Sequence, residues 1–391
     1  MGWIEKTSEK FHKAFSSKRL LKRFYALYDA IDTFLLTPNS ITKKGSHIRD
    51  VIDMKRIMIT VMIALIPPLL FGIWNIGYQH FLAINIDANF WQTFWFGFLK
   101  WLPIVLVVYA SGLTVEVIFA QRLGHSVAEG FFVTGMLIPM IVPPEIPLWI
   151  LALATIFATL FAKEVFGGTG YNFLNVALVA RAFIFFAYPS VISGDNVWIA
   201  DKPDAISGAT PLALLSNGDV ANMPSMLEMF IGTIPGSIGE TSKLAILLGG
   251  IFLIYTQVAN WRIMLSVILG GLSMGFIFNL IGTTPIMQIP PYDHLLMGGF
   301  MFGAVYMATD PVTSPHTNWG RIVFGFLIGV IAVVIRVINK GYPEGMMLAI
   351  LLMNVFAPLI DYIAIQNNIR KRKKRLSKLN LKNITTQQNI I

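Results

Sequence analysis

The sequence predicts an all-α integral membrane protein of about ten transmembrane helices, with both termini on the cytoplasmic side. Three observations predict it. Hydrophobic residues make up 55% of the 391 and charged residues only 13%, with a mean hydropathy of +0.65; a soluble domain is about a quarter charged. Apolar runs long enough to cross roughly 30 Å of hydrocarbon recur along the chain. The net charge of +9 gathers at the two ends, in KRLLKR (18–23) and RKRKKR (370–375). That is the placement of the positive-inside rule, not of a nucleic-acid surface.

Residues 1–56 form a basic, amphipathic N-terminal region with no short apolar segment leading to a small-residue cleavage site, so no removable signal peptide is expected. The membrane domain follows over 57–365. Its apolar runs lie near 57–77, 97–120, 131–144, 147–165, 173–190, 243–259, 262–282, 292–309, 321–338 and 343–365. The third, GMLIPMIVPPEIP (135–147), is short and rich in proline, which predicts a broken or half-length helix covered by protein. Threading from a cytoplasmic N-terminus puts Arg122, His125, Lys163, Arg262 and Arg321 inside. It puts the 189–242 connection outside, with Asp195, Asp201, Asp204, Asp219, Glu228 and Glu240 against Lys202 alone. Residues 366–391 are a basic cytoplasmic tail.

There is an internal echo. EGFFVTGMLIPMIVPP (129–144), a helix and NFLNVALVARAF (172–183) share a layout with GGFMFGAVYMATDPV (298–312), a helix and EGMMLAILLMNVFAPL (344–359). By the threading above these would be two inverted repeats, an arrangement that places a site near the midplane. The chain has no cysteine, which excludes disulfides, Cys-ligated iron–sulfur clusters and thiolate zinc sites within it.

Four sets of residues carry possible chemistry. DAISGATPLA (204–213) is a polar island between apolar segments: Gly208 and Ala209 clear space beside Thr210, and Asp204 and Ser207 precede it. Its hydroxyl can be esterified if exposed; a plain surface turn is the alternative. FGGTGYNFLN (166–175) lacks the strand that a nucleotide fingerprint needs, so it reads as a glycine turn before a helix start. Asn172 and Asn175, three apart, are expected on one helical face, where their amides could hold a ring edge. Glu116, Asp310 and Asp361 are carboxylates at membrane depth, functional candidates by their cost; a cap at Asp310 and an interfacial role at Asp361 are the alternatives. An apolar, aromatic cleft for a quinone is expected from Asp29 with the stretch 24–36, and from Glu129, Gly130, Phe131 and Phe132.

Several blocks together resemble one family. FYALYDAIDTFLLTPNSITKKGSHIRDVIDMKRIM (24–58), AEGFFVTGMLIPMIVPPEIPLW (128–149), FGGTGYNFLNVALVARAFIFFAYP (166–189), FIGTIPGSIGE (230–240), YMATDPVTS (306–314) and YPEGMMLAILLMNVFAPLID (342–361) are similar to the NqrB-type subunits of the sodium-translocating NADH:quinone reductases. The resemblance implies FMN esterified to Thr210 within D-x-x-S-G-A-T, and riboflavin held without a covalent bond near Asn172 and Asn175. It implies quinone as substrate, and sodium taken up or passed on by Glu116, Asp310 and Asp361. It also implies partners: an NADH-oxidising flavin and iron–sulfur subunit, another covalent-FMN subunit and small membrane subunits, all in a bacterial inner membrane. One departure stands out. Where the family often has Gly-Gly near its quinone pocket, this chain has Gly112-Leu113, and a leucine there is expected to narrow the pocket. Other readings stay open: an RnfD-like subunit of an ion-pumping ferredoxin:NAD oxidoreductase, which the N-terminal block disfavours, and a secondary transporter without redox cofactors.

Overall fold

A computed structural model describes residues 45–46, 54–123, 130–192, 197–203, 208–219, 222–339, 341 and 344–388. Among them the regular structure is helical, with no strand. The helices are α1 (Met54–Ala83), α2 (Phe90–Leu123), α3 (Gly130–Ile141), α4 (Leu148–Ala162), α5 (Val176–Ala187), α6 (Pro211–Asn217), α7 (Met226–Ile231), α8 (Lys243–Tyr255), α9 (Trp261–Ile281), α10 (Asn318–Ile338) and α11 (Met346–Gln388), joined in places by shorter turns.

The ten expected crossings sort into two kinds. Six described helices are long and apolar enough to span a membrane: α1, α2, α4 with its continuation to Phe166, α9, α10 and α11. The others are too short. α3 and α5 have 12 residues and α8 has 13, which at 1.5 Å per residue gives about 18–20 Å of axis. The run at 292–309 is broken into turns at Asp293–Leu296 and Phe300–Phe302 and a π-helical turn at Gly303–Met307. The prolines that predicted a break in the third run do end it, at Pro143 and Pro144, and a helix ending there leaves carbonyls to be satisfied inside the protein.

The packing follows the internal echo. α2 packs on α4 and α4 on α5; in the second half α9 packs on α10 and α10 on α11. Half-helix α3 occupies the place in the first set that the broken 300–307 segment occupies in the second. α1 and α8 pack against each other, and the Tyr306 hydroxyl of the π-turn donates to the Ala64 carbonyl on α1 at 2.9 Å.

α11 continues as one helix through the basic cluster at 370–375, past the boundary expected near 365. Most of the expected N-terminal region lies outside the described residues.

Helices meet closely because lipid offers no hydrophobic reward for their association, so small residues must let backbones touch. At the α9–α10 crossing a Cβ on Gly329 would lie 2.1 Å from the Val267 carbonyl oxygen, and one on Gly270 2.2 Å from that of Phe326. Leu269, one residue from Gly270, is exposed. Gly329→Leu is therefore expected to push α10 off α9 at a cost beyond the usual 1–3 kcal/mol of overpacking. Leu269→Ala should stay within about 0.5 kcal/mol of the parent. Thermal melts of the two variants in detergent check the contrast.

Candidate functional site

Two cavities, lined between them by five of the residues singled out above (Gly130, Asn172, Asn175, Thr210 and Asp310), lie at opposite ends of the half-length helix α5. At its start, a cavity of about 80 Å³ is lined by Gly130, Lys163, Thr169, Asn172, Asn175 and Asp310, among others. Asn175 is the N-cap of α5, its side-chain oxygen accepting from the Ala177 and Leu178 amides at 3.1 and 3.3 Å. Its amide nitrogen donates to Asp310 Oδ2 at 3.5 Å. Asn172 instead closes the glycine turn, accepting from Gly170 N and donating to the Leu174 carbonyl, both at 3.2 Å. The expectation of one helical face is thus corrected: the two amides share a cavity because a turn runs into a cap, not through helical periodicity. Gly167, Gly168 and Gly170 build that turn at φ 111°, 89° and 97°, values an L side chain rarely adopts.

Asp310 accepts from Val312 N at 3.1 Å and from the Thr313 hydroxyl at 3.2 Å, so the expected cap before Pro311 is real, and the carboxylate lines the cavity as well. Thr169 Oγ1 is buried in this cavity without a hydrogen-bond partner among the described residues. A buried orphan of that kind, beside two amides, suits the polar edge of a ring.

Around the far end of α5, a cavity of about 230 Å³ is lined by Phe185, Trp198, Thr210, Glu240, Thr241 and Glu344, among others. Thr210 is not the free loop hydroxyl the sequence suggested. It is half-buried and caps α6, accepting from Ala213 N at 3.2 Å with Pro211 at the first helical position. Gly208 is buried beside it. Asp204 and Ser207 lie outside the described residues. The cavity joins aromatic walls to a buried Thr241 hydroxyl that has no partner among the described residues, a combination that fits a flavin ring and its polar rim.

The loop acids are not all surface charges. Glu240 Oε1 accepts from Arg181 Nη1 at 2.6 Å, and Arg181 Nη2 reaches Glu344 Oε2. Burial pushes the Glu240 carboxyl up, with Arg181 opposing. The triad ties α5, the segment before α8 and the segment before α11 around the larger cavity. A lone cation in the apolar run NVALVARAF was its sequence signal.

Of the expected quinone residues, Asp29 and Glu129 lie outside the described residues. Gly130 lines the smaller cavity, while Gly112, Phe131 and Phe132 are engaged in packing. A Cβ on Gly112 would lie 1.9 Å from Phe131 Cζ, the Phe131 ring is fully buried, and the Tyr109 hydroxyl donates to the Phe132 carbonyl at 2.7 Å. What fills the space over Gly112 is Phe131, while Leu113 is only half-buried.

Glu116 and Lys163 form a buried ion pair, with side chains 2% and 3% exposed. Lys163 is therefore not the solvent-facing cytoplasmic charge used in the threading. Asp361 accepts from His316 N at 2.7 Å, Thr317 N at 3.0 Å and the Thr317 hydroxyl at 2.6 Å, which pins the start of α10. Among the described residues no group of three or more His, Cys, Asp or Glu side chains could hold a metal ion.

A family model described as NQR2, RnfD, RnfE matches residues 41–370. The chain belongs to that family. Among its similar relatives is the B-type subunit of the Na(+)-translocating NADH-quinone reductase of Ectopseudomonas mendocina (strain ymp), 47% identical, with 94% of this chain and 98% of the relative covered. The protein of the same name from Stutzerimonas stutzeri (strain A1501) is 48% identical over the same shares. That from Chromohalobacter salexigens is 46% identical, covering 95% of this chain and 96% of the relative. Family membership thus spans both cavities and α5 between them.

The triad offers a direct test of how far the larger cavity depends on buried charge. Arg181→Leu leaves two carboxylates without their cation and is expected to cost about 3–5 kcal/mol. Replacing Arg181 and Glu240 together by leucine should recover part of that loss. Melting temperatures and the yield of folded protein in detergent report both.

Proposed function

We propose that this chain is the NqrB-type membrane subunit of a sodium-translocating NADH:quinone reductase of a bacterial inner membrane. It carries electrons between two flavin sites, an FMN ester at Thr210 and a riboflavin at Asn172 and Asn175, and on to quinone, coupled to sodium export. The observation that carries this reading is the placement of the two cavities on one half-helix. Asn175 caps the start of α5 and Phe185 lines the Thr210 cavity near its end, about 15 Å of helix axis apart. The relatives' name supplies the reaction and the sodium.

Bound flavins would supply the one- and two-electron chemistry. This chain's residues do the holding. Thr210 offers its hydroxyl at a cavity edge, Phe185 and Trp198 give apolar walls, and Thr241 gives a buried polar contact. At the other end Asn172, Asn175 and Thr169 present amide and hydroxyl groups, and the Gly130 backbone approaches Thr169 closely: a Cβ there would lie 2.7 Å from Thr169 Cγ2. Quinone is assigned to the neighbourhood of Gly112, Gly130, Phe131 and Phe132, where Phe131 must turn away from Gly112 to make room. For sodium we place Glu116, Asp310 and Asp361 on the path; the Asp361 oxygens also hold the start of α10. NADH oxidation falls to a partner subunit.

Two substitutions test the flavin sites separately. Thr210→Ala should abolish covalent flavin, read as the loss of an in-gel flavin fluorescence band and of the modified peptide by mass mapping. It should also remove the α6 cap at about 1 kcal/mol. FMN on another residue, or none in the parent, would overturn the assignment.

Asn175→Leu should lower non-covalent flavin in the purified complex and leave the Thr210 adduct alone, with a further loss of about 1 kcal/mol from the uncapped α5. Extraction and quantification of free riboflavin against covalent flavin checks it. Unchanged riboflavin would make Asn175 a cap only.

A further inference from the structure

We propose that Lys163 is an internal cation that competes with sodium for the Glu116 carboxylate and moves to acceptors in the Asn175 cavity when sodium takes its place. This rests on the sodium reading above and deepens it. Lys163 does two things at once in the structure. Its ammonium holds Glu116 in a pair shut off from solvent, and the residue lines the cavity that contains Thr169, Asn172, Asn175 and Asp310. It is the one basic residue among the described residues lining that cavity.

Asp310 gives the motive. Among the described residues the groups donating to its oxygens are neutral: Val312 N, the Thr313 hydroxyl and the Asn175 amide. Sodium is a hard cation that seeks oxygen ligands, and a buried carboxylate offers them. Sodium and an ammonium on the same buried carboxylate would repel each other with little solvent to screen them, so the arrival of one expels the other. The expelled ammonium finds the Asp310 carboxylate and the unpartnered Thr169 hydroxyl across a cavity of only about 80 Å³.

The backbone allows the move. Lys163 ends α4 with φ −128° and ψ −67°, outside the helical region, and is followed by a short 3₁₀ turn and the positive-φ glycines Gly167, Gly168 and Gly170. The ammonium also lies 5.7 Å from the centre of the Phe131 ring, which covers Gly112. Its departure from Glu116 therefore changes the surroundings of the proposed quinone residues as well. Coupling of this kind is reciprocal: sodium on Glu116 favours negative charge in the cavity, and negative charge in the cavity favours sodium on Glu116.

The test is a sodium titration of quinone reduction by the purified complex, normalised to covalent flavin and paired with sodium-NMR line broadening of the oxidised complex. Lys163→Met removes the competitor, so half-saturation should fall to lower sodium by about five-fold or more. Lys163→Arg keeps a cation whose fork grips both carboxylate oxygens, so half-saturation should rise. The opposite signs separate competition from a structural role, which would lower yield or rate without moving the two curves apart. If Lys163→Met does not assemble, the direction for Lys163→Arg decides alone. A sodium-dependent parent with unmoved variants, or with both moved the same way, overturns the competition. A parent whose quinone reduction ignores sodium overturns the sodium reading itself, and the competition with it.

Discussion

A helix of a dozen residues cannot cross a bilayer, so its ends, with their unpaired amides and carbonyls, must be satisfied inside the protein. α3, α5, α8 and the broken 300–307 segment all meet this requirement here. The longer helices around them carry exposed apolar side chains such as Leu106 and Leu269, suited to a lipid-facing wall. The interior then collects whatever can bond a helix end. Asn175 caps α5, Ser242 caps α8, Thr317 caps α10, and the Tyr306 hydroxyl reaches across to α1. Both cavities lie beside such ends.

Charge obeys the same constraint. Arg181, Glu240, Glu116, Lys163 and Arg336 are nearly or fully buried, and none would be tolerated there alone. Arg181 spans two carboxylates, and Arg336 donates to the carbonyls of His294 and Met297 in the broken stretch before the π-turn. The last contact shows the principle well. Where a helix is interrupted at depth, a guanidinium brought from a neighbouring helix takes up the freed carbonyls. The polar interior is thus a product of the short helices, and it is also the part of the molecule able to hold cofactors and ions.

The sequence made much of the fold legible. Hydropathy placed every apolar run, and the prolines after Ile141 marked α3 as short. The pattern could not tell a full crossing from a half-helix at 173–190 or 243–259, because both are apolar and differ only in where the backbone turns. It also left the 292–309 run whole, although Gly298-Gly299 is a turn signal and Gly298 takes φ 59° where the run is broken; contacts with α1 and α10 accompany the interruption. Asn172 and Asn175 were found by motif, yet their geometry was misread, because a three-residue spacing means one face only once a helix has begun.

What the sequence alone determined is the class of molecule: an apolar chain with basic ends, no thiol chemistry, interrupted helices and a set of costly polar residues. Those follow from composition and local spacing, which one chain carries in full. Only the tertiary structure decided which polar residues meet. Lys163 and Glu116 are 47 positions apart, Asn175 and Asp310 135, and Arg181 and Glu344 163. Partners so distant are chosen by how half-helices end against one another, and an end's surroundings are set by packing rather than by its own sequence.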